Sequence, residues 1–148
     1  MDFLNGRLPA FLDATFNWIS AEDVAIGHWL AATKGRIGER YILGHQNLPL
    51  SEFLVLLGQV SGQRPPRLKI LYFVAWCAGA CGDLSARVAG RTPRARLDGV
   101  RMAQQSMRYD SRKAVDELGL PQTPLTVALE DAVHWFRENG YVKKARPR

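Results

Sequence analysis

The sequence predicts an α/β fold that is mostly helical, with too few strands for a complete doubly wound sheet. Three observations carry this. Stretches of helical length recur, several opened by a cap residue and closed by glycine, as in Ser20 to Gly35 and Ser111 to Gly119. Strand-like stretches are few and short: Asn17 to Ala21, Glu39 to Gly44 and Arg67 to Ile70. The 148 residues, 47% apolar and 23% charged, suit one domain with a single core.

Residues 2–16 show no clear period, and Gly6-Arg7-Leu8-Pro9 reads as a loop. Asn17 to Ala21 reads as a short extended segment. Ser20 is then the N-cap of a helix whose first turn carries Glu22 and Asp23. Val24, Gly27, His28 and Ala31 share one face of it, and Lys34-Gly35 supplies a basic last turn and a stop. Glu39 to Gly44, with an apolar centre, is a strand candidate. Asn47 to Glu52 is turn chemistry followed by a second cap. Phe53, Leu54, Leu56, Leu57 and Val60 mark an amphipathic helix ending near Gly62. Arg64-Pro65-Pro66 is a rigid connector. Arg67 to Ile70 predicts a short strand, Leu71 to Val88 an apolar helix, and Leu97 to Gln105 a short helix. Met107 to Asp110 reads as extended, and Ser111 as the cap of a helix over 112–118 that stops at Gly119. After a loop from Pro121 to Pro124, Leu125 to Asn139 forms a last amphipathic helix with Val127, Leu129, Val133, Trp135 and Phe136.

The net charge is +6 and the isoelectric point about 9.7. Basic residues concentrate at Arg87, Arg91, Arg94 and Arg96 and in the tail at Lys143, Lys144, Arg146 and Arg148. A solvated face accounts for them more simply than a polyanion site does. Residues 142–148 read as a basic, flexible tail. Cys77 and Cys81 lie four apart in an apolar run, read as buried free thiols of a cytoplasmic protein and not as a disulfide or a zinc pair. The start lacks the pattern of a signal peptide, and the run from Leu68 to Ala80 is too short to span a bilayer.

Sequence patterns of cofactor and metal chemistry are either missing or out of context. Gly79-Ala-Cys-Gly82 lies within an apolar helical run, where no backbone cluster would cradle a pyrophosphate. His28, His45 and His134 are scattered singly, so no metal site is expected. Tyr109 and Lys113 stand four apart, the spacing of the proton-transferring pair of short-chain dehydrogenases. The intervening Asp110-Ser111 reads as a helix cap. That places Tyr109 before the helix and Lys113 in its first turn, so the two need not face each other, and no catalytic residue is assigned.

Three stretches in order resemble a known group: Asn17-Trp-Ile-Ser-Ala-Glu-Asp-Val-Ala-Ile-Gly-His28; Gly38-Glu-Arg-Tyr-Ile-Leu-Gly44 with the helix start that follows it; and Leu97-Asp-Gly-Val-Arg-Met102 continuing to Lys113-Ala-Val-Asp-Glu-Leu-Gly119. Together with Ala132 to Tyr141 they resemble the carboxy-terminal, substrate-side part of extended short-chain dehydrogenases/reductases. The nearest group is the NAD-dependent epimerases/dehydratases, with their dihydroflavonol-reductase-like, hopanoid-associated sugar epimerases.

The resemblance implies that residues 1–141 form the substrate lobe of a Rossmann-type enzyme whose cofactor-binding part, with the glycine loop and catalytic Tyr and Lys, lies outside this chain. It implies NAD or NADP for the full-length enzyme and no cofactor for this chain alone. The implied partner is an amino-terminal cofactor-binding half or a second copy, with a small-molecule substrate only in the complete enzyme and no nucleic acid. Ser20 and Glu22 stand where the group usually has His and Asp, and Phe16 stands near a usual phosphate-binding Arg. Arg7, Asn17 and Arg101 are the remaining substrate-binding candidates. A non-catalytic oligomerising or interaction module is the alternative, and polyanion binding the lesser one.

Overall fold

The computed structural model describes residues 1–70 and 107–142. Eight elements follow in order: β1 (Ala10–Phe11), β2 (Thr15–Trp18), α1 (Ala21–Lys34), β3 (Gln46–Pro49), α2 (Leu50–Ser61), β4 (Leu68–Lys69), α3 (Arg112–Leu118) and α4 (Leu125–Glu138). The expected helices over 71–88 and 97–105, the thiols Cys77 and Cys81, the arginines from Arg87 to Arg101, and the tail beyond residue 142 lie outside the described residues.

The strands form two short pairs. β1 runs parallel to β4, with Ala10 opposite Leu68 and Phe11 opposite Lys69. β2 runs antiparallel to β3, from Thr15 opposite Pro49 to Trp18 opposite Gln46. Pro49 closes its strand at the point where α2 begins, a position that needs no ladder N–H. The Trp18 indole stacks on Phe53 with ring centroids 3.5 Å apart and donates from Nε1 to the Leu48 carbonyl at 3.2 Å, which fastens α2 to the β2–β3 pair.

Two apolar clusters hold these elements. In one, Leu54 of α2 and Val133 of α4 meet Phe3, Leu4 and Phe11, with Leu57, Val60 and Phe136 packed around them. In the other, Ala114 and Leu118 of α3 and Leu120 meet Ile19, Leu30, Tyr41 and Leu43. Gly27 lets α1 approach this second cluster: a Cβ there would stand 2.7 Å from Leu120 Cδ1 and 2.9 Å from Leu43 Cδ2.

Several expectations hold. Ser20 Oγ accepts from the Glu22 N–H at 3.2 Å, which caps α1. Gly62 (φ 73°) and Gly119 (φ 74°) end α2 and α3 in the left-handed conformation that glycine adopts without cost. β4 falls within the predicted Arg67 to Ile70.

Others need correction. The extended segment begins earlier, at Thr15, which pairs with Pro49, and ends earlier, at Trp18, with Ser20 capping α1 and Ala21 opening it. Glu39 to Gly44 forms no strand among the described residues; the strand is Gln46–Pro49. The apolar centre of that segment reflects burial, since Tyr41 and Leu43 insert beside α3 while Ile42 is left 47% exposed. His28 is exposed, and the buried stripe of α1 runs through Asp23 and Gly27.

Neither of the other two helices uses the hydroxyl expected to cap it. α2 starts at Leu50, one residue ahead of Ser51, and its first turn is held by Asp13, whose Oδ1 accepts from the Ser51 N–H and Oδ2 from the Ser51 hydroxyl, both at 3.3 Å. Asp110 takes the role expected of Ser111, its Oδ1 accepting from the Arg112 N–H at 3.0 Å. A carboxylate is the stronger acceptor opposite the positive end of a helix. α1 ends at Gly35 in extended backbone and not in a left-handed turn. On α4, Val127 and Trp135 are exposed and Leu125, Leu129 and Val133 are buried.

Candidate functional site

A connected set of polar side chains surrounds Asn17, the β2 residue singled out from the sequence. Asn17 faces Asn47 across the β2–β3 pair, and its Nδ2 donates to Asn47 Oδ1 at 2.9 Å. Its Oδ1 accepts from the His45 N–H at 3.0 Å. Gly44 is buried against this amide: a Cβ on residue 44 would overlap Asn17 Oδ1. Asn47 then grips the strand-like 107–110 segment by one residue. Its Nδ2 donates to the Tyr109 carbonyl at 2.9 Å and its Oδ1 accepts from the Tyr109 N–H at 3.1 Å. Met107 N–H donates to the Thr15 carbonyl at 3.0 Å and continues the attachment along β2.

Gln122 closes the other side. Its Oε1 accepts from His45 Nδ1 at 2.5 Å, and its Nε2 donates to the carbonyls of Gly44 (3.2 Å) and Pro121 (2.9 Å). The next residue, Thr123, donates from both N–H and hydroxyl to the Asp23 carboxylate, each at 2.8 Å. Asp23 is 2% exposed, so this carboxylate is buried and satisfied by the loop it holds. Beside the cluster lies a cleft of about 600 Å³ between His45, Gln46, Leu56, Gln122 and the start of α4 at Leu125 and Thr126. Amide and imidazole groups on a partly apolar wall suit the orientation of a hydroxylated ligand.

Asn47→Ala is therefore expected to release residues 107–110 at a cost of about 1–2 kcal/mol. Hydrogen exchange checks this at the Tyr109 amide, which should lose protection while the amides of α4 keep theirs. Unchanged protection at Tyr109 would rule out the clamp.

The other sequence candidates lie elsewhere. Arg7 is an exposed residue of the first turn, its N–H donating to the Asp2 carbonyl at 2.8 Å. Arg101 is outside the described residues. Tyr109 precedes α3 and is half exposed. Lys113 sits in the first turn of α3, where Nζ donates to Glu39 Oε2 at 2.5 Å and lies 4.9 Å from the centre of the Tyr41 ring. The capping argument thus places both residues correctly, and the Lys113 ammonium is engaged away from the Tyr109 phenol.

Beside it, Glu117 accepts from the Tyr41 hydroxyl at 2.9 Å and pairs with Arg36. The Lys113 hydrogen bond holds Glu39 below the ordinary glutamate value, and the Tyr41 hydroxyl followed by Arg36 does the same for Glu117. Asp110 is lowered to about 2 by the Arg112 side chain and N–H. A folded-state value below the unfolded one contributes stability above the unfolded value, lost as pH falls through the folded one. The melting temperature should accordingly decline as pH drops below about 4.5. Arg36→Gln with Lys113→Gln should flatten that decline, as thermal melts over a pH series would show; an equal decline in the double variant would exclude these pairs as its source.

Carboxylates at the starts of α1 and α2 make both poor receivers of a pyrophosphate. The first turn of α1 carries Glu22 and Asp23, and that of α2 is held by Asp13. Among the described residues no group of three or more His, Cys, Asp or Glu side chains could hold a metal ion, and no helix is long and apolar enough to cross a membrane.

The chain is similar to known proteins along nearly its whole length. It is 41% identical over 145 residues to a candidate dihydroflavonol 4-reductase of Synechocystis sp., covering 95% of this chain and 42% of that protein. It is 33% identical over 144 residues to sterol demethylase protein B of Methylococcus capsulatus, covering 96% of this chain and 44% of that protein. The crystal structure of a nucleoside-diphosphate-sugar epimerase from Pseudomonas aeruginosa superposes with a TM-score of 0.74 at 29% identity, over 96% of this chain and 42% of that one. No family model matches the chain. The chain spans less than half the length of the curated relatives it matches, and its α/β fold is part of theirs.

Proposed function

We propose that this homologue of part of the reductase- and epimerase-like proteins is the substrate-side, carboxy-terminal portion of an NAD(P)-dependent epimerase, dehydratase or reductase, and that it works joined to a cofactor-binding part. The carrying observation is coverage: the similarity takes in 95% of this chain but 42% of the first relative, leaving more than half of that fold without a counterpart here. Two features support the reading. The polar cluster from Asn17 to Gln122 presents hydrogen-bonding groups, from His45 and Gln122, at a cleft. α1 turns Ile26 and Trp29 outward, and Trp29 is 69% exposed, which fits a face that another part of the fold covers.

The cofactor would then be held by the other part. The expected outcome is that the 148-residue chain alone gives no saturable quenching or energy transfer with NADH or NADPH. Co-expression with the cofactor-binding part of a relative should restore saturable binding and yield a complex on sizing chromatography. A saturable NADH isotherm with this chain by itself would refute the assignment.

The exposed α1 face also favours a second reading, a self-associating module without catalysis. The two part company in sedimentation: the module predicts a concentration-dependent dimer that Trp29→Glu dissolves and that the cofactor-binding part does not displace.

A further inference from the structure

Between α2 and the connector that follows it lies a second cleft, of about 390 Å³, lined by cationic and apolar side chains where the first is lined by amides and an imidazole. Phe11 and Val55 give its lining an apolar part, and Arg64, Arg67 and Lys69 give it a cationic one. The two arginines flank Pro65-Pro66, whose ring-locked φ angles restrict the backbone that carries them. Lys69 is already partnered: Nζ donates to Asp13 Oδ2 at 2.8 Å, and the same carboxylate is satisfied by Ser51. Among the described residues neither Arg64 nor Arg67 has a carboxylate partner.

The remainder of the sequence does not supply one readily. Residues 71–106 carry Arg87, Arg91, Arg94, Arg96 and Arg101 against Asp83 and Asp98, and residues 143–148 carry Lys143, Lys144, Arg146 and Arg148 with no acid. Both stretches are net positive, so they are poor complements for a cleft that is itself cationic.

We propose that this cleft is a binding site for a small organic phosphate, with the phosphoryl oxygens between Arg64 and Arg67 and an apolar or planar body on Phe11 and Val55. Guanidinium forks match phosphate oxygens in pairs, which a single ammonium does not. The volume lies at the small-molecule end of the range for ligand clefts, roughly 300–1,000 Å³. The apolar lining from Phe11 and Val55 distinguishes such a ligand from a bare inorganic ion.

Phenyl phosphate is the probe, titrated into the full chain and followed through the arginine Nε–H and Ser51 amide resonances. The proposal expects saturable shifts, with inorganic phosphate binding more weakly. Arg64→Gln with Arg67→Gln should weaken phenyl phosphate about a hundredfold, roughly tenfold for each guanidinium–phosphate hydrogen-bonded pair removed. Arg40→Gln with Arg108→Gln, which removes the same charge from exposed positions elsewhere, should leave the affinity within about twofold. The amide spectrum of α1 and α3 reports whether each variant is folded. The site is overturned if phenyl phosphate does not saturate, if either pair of substitutions has the same effect, or if inorganic phosphate binds equally tightly. Binding only to nucleic acid or to anionic vesicles, with phenyl phosphate inert, would also overturn it.

Discussion

Asp23→Ala is expected to destabilise the chain by about 2–4 kcal/mol, because it leaves two donors without an acceptor inside the protein. The Thr123 N–H and hydroxyl both end on this carboxylate, which is 2% exposed, and both are part-buried. For a chain of this size the melting temperature should fall by roughly 5–15 °C. Thr123→Val removes the hydroxyl bond and keeps the backbone one, so it should cost less. The double variant should show a coupling of about 1 kcal/mol or more, as expected for residues in direct contact. Additive effects would mean that the loop is held by something other than Asp23. Because the loop also carries Gln122, Asp23→Ala should disturb His45 as well, visible as a shift of its ring resonances.

Leu118→Ala should cost a comparable or larger amount, about 2–5 kcal/mol, the range for emptying a buried leucine site. Leu118 is 1% exposed and sits at the centre of the second apolar cluster. α3 has seven residues, too few to persist by backbone hydrogen bonding alone. Without Leu118 the helix loses its main attachment. The effect should be uneven. Hydrogen exchange should accelerate first in α3 and around Leu43, while Leu54 and Val133 keep α2 and α4 protected. Uniform acceleration across all four helices would show instead that the two clusters unfold as one unit. Leu118→Met, which conserves volume, should cost under about 1.5 kcal/mol.

Local chemistry decides what is legible in the sequence. Ser20 caps the helix that begins beside it, and Gly62 and Gly119 end theirs, because those signals depend on backbone within one turn. The similarity to part of the epimerase and reductase group is legible too, since it rests on the order of motifs along the chain. What escapes depends on residues far apart in sequence. Asp13 reaches α2 from the β1–β2 connection, 38 residues before Ser51. Tyr41 and Leu43 alternate like a strand yet are half-buried against α3, which no period can reveal. In the sequence Asp23 looks like one of a pair of first-turn carboxylates. The signal that separates it from Glu22 is that it lies four residues before Gly27, on the buried stripe of α1. Of the polar cluster, only Asn17 stands out in the sequence. Asn47 and Gln122 are ordinary loop residues there, and their roles come from partners 62 and 77 residues away.

The contact between Gly44 and the Asn17 amide makes the two positions historically dependent on each other. Any side chain at 44 displaces the oxygen that receives the His45 N–H, so most changes there are tolerated only in a background where residue 17 has already become smaller. A smaller residue at 17, in turn, removes one of the hydrogen bonds that orient Asn47. The expected outcome is that Gly44→Ala costs less beside a smaller residue at 17 than beside Asn17, a dependence that stems from one absent methyl group and that thermal melts of the single and double variants would show.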